Sequence, residues 1–168
     1  NDKDFTAQIM KAKNAGVEAA IVWTHDPEVA IHARQISQLG LDVPILCSPS
    51  ITMPQLLDLV EAEWVEGWYG ASDFVSTSPE KVSKEFVEKF EKRWGVPAEL
   101  YSASMYGATV ALIEAIKEAG STDRKAIRDA LANMKGLQLP VGMCNVDSKN
   151  NMIHEVHMAQ IKDKAPVF

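Results

Sequence analysis

From Phe5 to Ala15 the apolar positions Phe5, Ile9 and Ala12 recur at helical spacing, and Gly16 follows where a helix C-terminal glycine belongs. Val17 to Trp23 is then a short apolar run, the pattern of a strand buried in a parallel sheet. Asp26 is a preferred N-cap residue, Pro27 suits the first helical position, and Val29, Ala33 and Ile36 mark one inward face before Gly40 stops the helix. The unit repeats: Val43 to Cys47 predicts a strand, Ser48 to Thr52 its exit loop, and Pro54 to Glu63 a helix carrying Leu56, Leu57 and Val60 inward. Such alternation predicts an α/β fold with a doubly wound lobe. The chain opens on a helix, whereas a parallel sheet needs a strand on each side of every crossover, so the expectation is a piece of a longer protein.

The alternation stops at Gly67 to Phe74, where glycines bracket aromatics and lead into polar Ser76 to Ser78; this reads as a crossing segment between lobes. The spacing then predicts helices from Pro79 to Trp94, capped by Ser78, and from about Ser102 to Ala119. A third, Asp123 to Met134, is capped by Ser121 or Thr122. In the first of these the stripe Phe86, Phe90, Trp94 reads as core. Gly136 to Asn151 breaks into loop and short strand, and His154 to Ile161 is the last strand, with a turn at Lys162 to Lys164.

Composition narrows the function classes. The 168 residues are 46% hydrophobic and carry a net charge of -6, spread along the chain with no basic stripe, which argues against nucleic acid as a partner. No apolar run approaches the roughly 20 residues that cross a bilayer. Cys47 and Cys144 lie too far apart for a metal or redox motif. His154 and His157 fall three apart on an expected strand, facing opposite sides, and His25 and His32 have no acidic or Cys partner at ligand spacing; a metal is not expected. No glycine-rich phosphate loop follows a strand, so no nucleotide cofactor is expected, and Cys47 to Ser50 lacks the nucleophile elbow of a hydrolase.

Several stretches, in this order, carry a family resemblance: Asp4 to Gln8 with the Lys-rich helix after it, Ala20 to Trp23 with Pro27-Glu28 and Ala33 to Gln35, Gly40 to Pro44, and Glu66-Gly67. The Phe86 to Gly95 helix, Pro97 with Tyr101 and Tyr106, Ala115-Ile116 before Ala119 to Ser121, Ala130-Leu131 and Gln160 to Asp163 continue it. Together they resemble the C-terminal half of type I periplasmic solute-binding proteins, the leucine/isoleucine/valine-binding or extracellular ligand-binding receptor family of ABC importers. The resemblance implies a fragment of a two-lobed fold: 1–72 as part of the C-terminal lobe, 73–148 as helices and a short strand of the N-terminal lobe, and 149–168 as a strand returning to the C-terminal lobe. It further implies a non-enzymatic, extracytoplasmic receptor that closes an inter-lobe cleft around a small solute, a branched-chain or related amino acid, and passes it to a membrane permease. It also puts Cys47 and Cys144 in different lobes, hence unpaired. Two departures stand out: Tyr106-Gly107-Ala108 where relatives often carry Tyr-Asp-Ala, and Cys47 to Ser50 where their strand exit is often glycine-rich. Rival readings are a sensor domain of the same fold, an aromatic-acid receptor, a flavodoxin-like enzyme and a freestanding interaction module.

Ligands of open α/β sheets gather outside the carboxyl ends of the strands, which selects Trp23, Thr24, His25, Ser48 and Ser50 as candidate contacts. Trp23 could cover an apolar side chain or be core, the hydroxyls and His25 could hydrogen-bond, and the helix at Pro27 offers N–H groups to anions, while Asp26 reads as a cap. The resemblance adds Tyr101 and Ser102 near the cleft. Tyr69, Asp73 and Phe74 fall at the crossing and read as hinge. With the first lobe's ligand loops outside these residues, the 168-residue chain is expected to bind solute poorly and, through its open sheet, to self-associate.

Overall fold

The apolar runs and helix stops fold as alternating strands and helices in the computed structural model, which describes residues 3–167. In chain order these are α1 (Thr6–Asn14), β1 (Ala20–Val22), α2 (Asp26–Leu39), β2 (Ile45–Cys47), a 3-10 turn (Pro49–Thr52), α3 (Pro54–Leu57), α4 (Ala62–Val65) and β3 (Tyr69–Ser72). There follow α5 (Lys81–Trp94), α6 (Leu100–Ala119), α7 (Arg124–Ala132), β4 (Leu137–Leu139), β5 (Gly142–Val146), β6 (Met152–Ile153), β7 (His157–Lys162) and β8 (Ala165–Val167). Two units result: one runs to Val75 and resumes at His157, and the other is Ser76–Val156.

The first unit holds a five-stranded sheet in the order β1-β2-β3-β7-β8, parallel through β1, β2 and β3 and antiparallel from β3 to β8. Side chains alternate across it. Val22, Ile45, Cys47, Ser72, Ala159 and Ile161 are buried on one face, with Val29, Ala33 and Ile36 of α2 and Ile9 of α1 in the same core. Gly40 ends α2 in the left-handed conformation, φ 62°, which lets the Leu41 N–H reach back to the Ile36 carbonyl at 3.2 Å.

Three sequence expectations change here. Pro54 to Glu63 is not one helix: α3 stops at Leu57 and α4 starts at Ala62, because Glu61 takes an extended backbone, ψ 146°. Gly67 to Phe74 contains a strand, β3, paired to β2 on one side and β7 on the other. Its glycine is there for close approach: a Cβ at Gly70 would lie 2.3 Å from Ile51 Cγ2, so only glycine lets the 3-10 turn sit on β3. The last strand is also shorter at its start and followed by another, since His154 precedes β7, and Asp163 and Lys164, both at positive φ, turn the chain into β8.

The second unit has three helices with no strand among them, then an antiparallel sheet β4-β5-β6. Phe86 of α5 meets Tyr106 of α6 at 5.1 Å between ring centroids, and Ser83 Oγ donates to the Pro140 carbonyl at 2.8 Å. The predicted Phe86, Phe90, Trp94 core stripe holds for Phe86, but Trp94 is exposed, with the Arg93 guanidinium 5.3 Å from its ring. Caps shift by a residue or two from their sequence positions. Ser78 Oγ accepts from Glu80 N–H ahead of α5, and Asp123, rather than Ser121 or Thr122, caps α7 by accepting from Ala126 N–H at 2.9 Å.

Candidate functional site

Three parallel strands of the first unit end at the same sheet edge, so their exit loops converge: Trp23 to His25 after β1, Ser48 to Thr52 after β2, and Asp73-Phe74 after β3. The Thr24 carbonyl is a node of this edge. Ser48 Oγ donates to it at 2.7 Å and Ser50 Oγ at 3.5 Å, while the Ser48 N–H continues the ladder to the Val22 carbonyl at 3.0 Å. Both serines are buried, and their protons are already spent on the protein. Thr52 Oγ1 donates to the Pro49 carbonyl at 2.9 Å and lies 3.4 Å from Ser72 Oγ, which itself donates to the Phe74 carbonyl at 2.8 Å. Thr52 and Ser72 thus brace the second and third loops. Neither brace is legible from the chain alone, because the partner of each is set by tertiary register.

Among the described residues, two buried side-chain oxygens have no partner. Thr24 Oγ1 and Asp26 Oδ1 are buried without a hydrogen-bond partner. Asp26 is not the cap of α2: His25 occupies the N-cap position, and Asp26 is the first helical residue, with no side-chain cap bond in the turn. Asp26 and Glu28 place two carboxylates in that turn and Pro27 lacks an N–H, so the anion-attracting helix start anticipated from Pro27 is already met by the protein's own charges. Trp23 is not core, being 62% exposed, and His25 is exposed. Cys47, at the end of β2, has its thiol pushed up to about 11, mainly by burial, with the charge of Asp26 adding a little.

The remaining sequence candidates lie elsewhere. Tyr101 and Ser102 sit in the first turn of α6 in the second unit, Tyr101 exposed. Ser102 is engaged in a capping box with Glu99: Glu99 Oε1 accepts from Ser102 N–H at 2.6 Å, and Ser102 Oγ accepts from Glu99 N–H at 3.0 Å. Tyr69 lies within β3, paired with Leu46 on one side and Gln160 on the other. Asp73 and Phe74 immediately precede the boundary at Val75, Phe74 being buried. A groove of about 450 Å³ lined by Pro44, Trp64, Gly67 and Trp68 opens at the amino ends of β2 and β3, away from the exit loops. Among the described residues no three His, Cys, Asp or Glu side chains gather as a metal would require, both cysteines are free, and no helix is long and apolar enough to cross a membrane.

The family model described as periplasmic binding protein matches residues 1–166. The chain belongs to that family. A Pseudomonas aeruginosa member named leucine-, isoleucine-, valine-, threonine-, and alanine-binding protein is 24% identical over 151 residues, 90% of this chain and 40% of its own length. The crystal structure of the leucine binding protein LivK from Thermotoga maritima superposes with a TM-score of 0.90 at 28% identity, covering 100% of this chain and 48% of LivK. A solute binding protein of an ABC transporter from R. palustris, in complex with benzoate, superposes with a TM-score of 0.86 at 15% identity over 99% of this chain and 46% of that one, a likeness of fold alone. This periplasmic binding protein chain therefore spans less than half the length of these relatives, and its mixed sheet and helices match the corresponding part of their type I fold. The family is one of solute-binding proteins, not enzymes.

Proposed function

We propose that this chain forms part of the extracytoplasmic substrate-binding component of an ABC importer, and that it contacts a small solute, a branched-chain or related amino acid, through the loops leaving β1 and β2. The observation that carries the reading is the convergence of Thr24, Asp26, Ser48 and Ser50 on the carboxyl edge of a parallel sheet, in a chain of a solute-binding family. The names of the Pseudomonas and Thermotoga relatives support a branched-chain amino acid as solute. On this reading the unit containing β1 to β3 belongs to the C-terminal lobe and the unit Ser76–Val156 to the N-terminal lobe. Asp73 and Phe74 lie at the hinge, Tyr101 is a further solute contact, and the partner is the importer's permease. Binding energy then stabilises a closed receptor instead of a transition state.

The test is a thermal-shift panel of the common amino acids on the protein at its relatives' full length. A solute that binds only the native state raises the melting temperature with concentration. Leucine, isoleucine or valine is expected to do so, and a panel in which no amino acid moves the transition would overturn the reading.

A further inference from the structure

The groove at the amino ends of β2 and β3 lies wholly within the first unit, at the opposite end of the sheet from the exit loops. Two helix-to-strand connections form its walls. α2 stops at Gly40 and reaches β2 through Leu41 to Pro44, and α4 stops at Val65 and reaches β3 through Gly67, whose φ of 78° makes the turn. Its volume of about 450 Å³ is that of a small-molecule site. Two indole rings line it, Trp64 half-buried and Trp68 buried, and the exposed side chains of Asp42, Glu63 and Glu66 share the lining. No lysine, arginine or histidine is among the lining residues. Asp42 and Glu63 enter no ion pair among the described residues, and Glu66 spends Oε2 on the Asp163 N–H at 3.0 Å. The backbone has the same sign as the side chains: α2, 14 residues long, ends at this groove with the negative end of its dipole, and its last turn holds no basic residue. Lys13 shows what such an end attracts, crossing from α1 to the Leu39 carbonyl at 2.7 Å, but it is not part of the lining.

We propose that this groove is a second binding site, for a small molecule carrying a guanidinium group, with the cation's flat face on Trp64 and its N–H groups on the carboxylates of Asp42 and Glu63. Indole faces attract cations, and a guanidinium combines a planar face that stacks on them with a fork of N–H donors that fits carboxylates. An ammonium brings the charge without the plane and is more strongly hydrated. An anion placed there meets only like charge. Elsewhere in the same chain the Arg93 guanidinium already lies 5.3 Å from the Trp94 ring, the pairing that the groove offers to an incoming ligand. The site is separate from the strand-exit loops and does not depend on the solute proposed for them.

The experiment is calorimetry on the protein at its relatives' full length, with butylguanidinium and with butylurea, which has the same skeleton and no charge. Salt is held at roughly 0.15 M, so that diffuse attraction to a negatively charged protein is screened. The wild type is expected to bind one butylguanidinium with a Kd of about 1 mM, at least about tenfold more tightly than butylurea, and equally well with and without saturating L-leucine. Asp42→Asn together with Glu63→Gln, two exposed positions where the shape is kept and the charge removed, is expected to weaken butylguanidinium by about tenfold and to leave butylurea unchanged. Trp64→Leu is expected to weaken both probes; because that ring is half-buried, the comparison of probes on the wild type and the exposed carboxylate pair carry the test if it folds poorly. The proposal is overturned if butylguanidinium does not bind saturably, if butylurea binds as tightly, or if the carboxylate variant binds both probes as the wild type does. Loss of butylguanidinium binding in saturating leucine would put the probe at the solute's own site and overturn the second site as well.

Discussion

At the scale of single residues, the edge of the first unit turns on a one-residue displacement. Asp26 has the residue type of an N-cap, but His25 takes that position and the carboxylate ends up with a buried, unpartnered oxygen instead of on the helix N–H groups. Cys47 shows the same burial from the other side. Its thiol is pushed from an ordinary 9.0 up to about 11, chiefly by desolvation, so the folded chain holds that proton more tightly than the unfolded chain does. The associated stability is therefore fully present below the unfolded value and is lost as pH rises through the window from about 9 to about 11. We predict that thermal melts taken across that window show the wild type losing more stability than Cys47→Ala, which has no proton to lose at that site. Cys144, also raised by burial, is common to both proteins and cancels. Parallel declines of the two melting temperatures would contradict the assignment.

At the scale of elements, what the sequence made legible is what short-range physics controls. Short apolar runs marked β1 and β2, helical spacing closed by Gly40 marked α2, and the two long helices of the second unit were visible from their spacing. The 3-10 turn, the break between α3 and α4, and β3 were not legible, because each is decided by contact. Gly70 reads as a loop glycine until Ile51 is seen to occupy the place of its side chain. The loops of the candidate site were legible as strand exits, but not the hydrogen bonds that spend Ser48 and Ser50 on the Thr24 carbonyl, since those bonds span 24 and 26 residues. Ser102 illustrates the same limit in α6, where a candidate solute contact is held as half of a capping box with Glu99. Ser102→Ala is predicted to destabilise the protein by about 1 kcal/mol in urea unfolding, and Ser102→Thr, which keeps the hydroxyl, to retain most of that stability. Equal stabilities of Ala, Thr and wild-type proteins would show that the box contributes nothing.

At the scale of the molecule, the sheet of the first unit has two unlike faces. Opposite the buried face, register lines up Ile21, Leu46, Tyr69 and Gln160 in one row and Ala71 with Met158 in another, all uncharged. Ile21 is 70% exposed, Met158 52% and Tyr69 41%, and Trp23, two residues beyond Ile21, adds a 62% exposed ring. β1 is also an edge strand. With Ala20 N–H bonded to Pro44 and Ser48 N–H to Val22, the alternation of a parallel ladder turns the Ile21 N–H and carbonyl away from β2. Sheets with parallel strands are ordinarily covered on both faces, and an open apolar edge is a template for another chain. The 168-residue chain by itself is therefore predicted to self-associate through this face, with no charge repulsion along it to oppose the approach. Light scattering over a concentration series should show a mass rising above that of the monomer, and Ile21→Lys together with Met158→Lys should return it to the monomer while leaving the helical circular dichroism unchanged. A wild-type chain that stays monomeric at the highest concentration would show that this exposed row is tolerated in water as it stands.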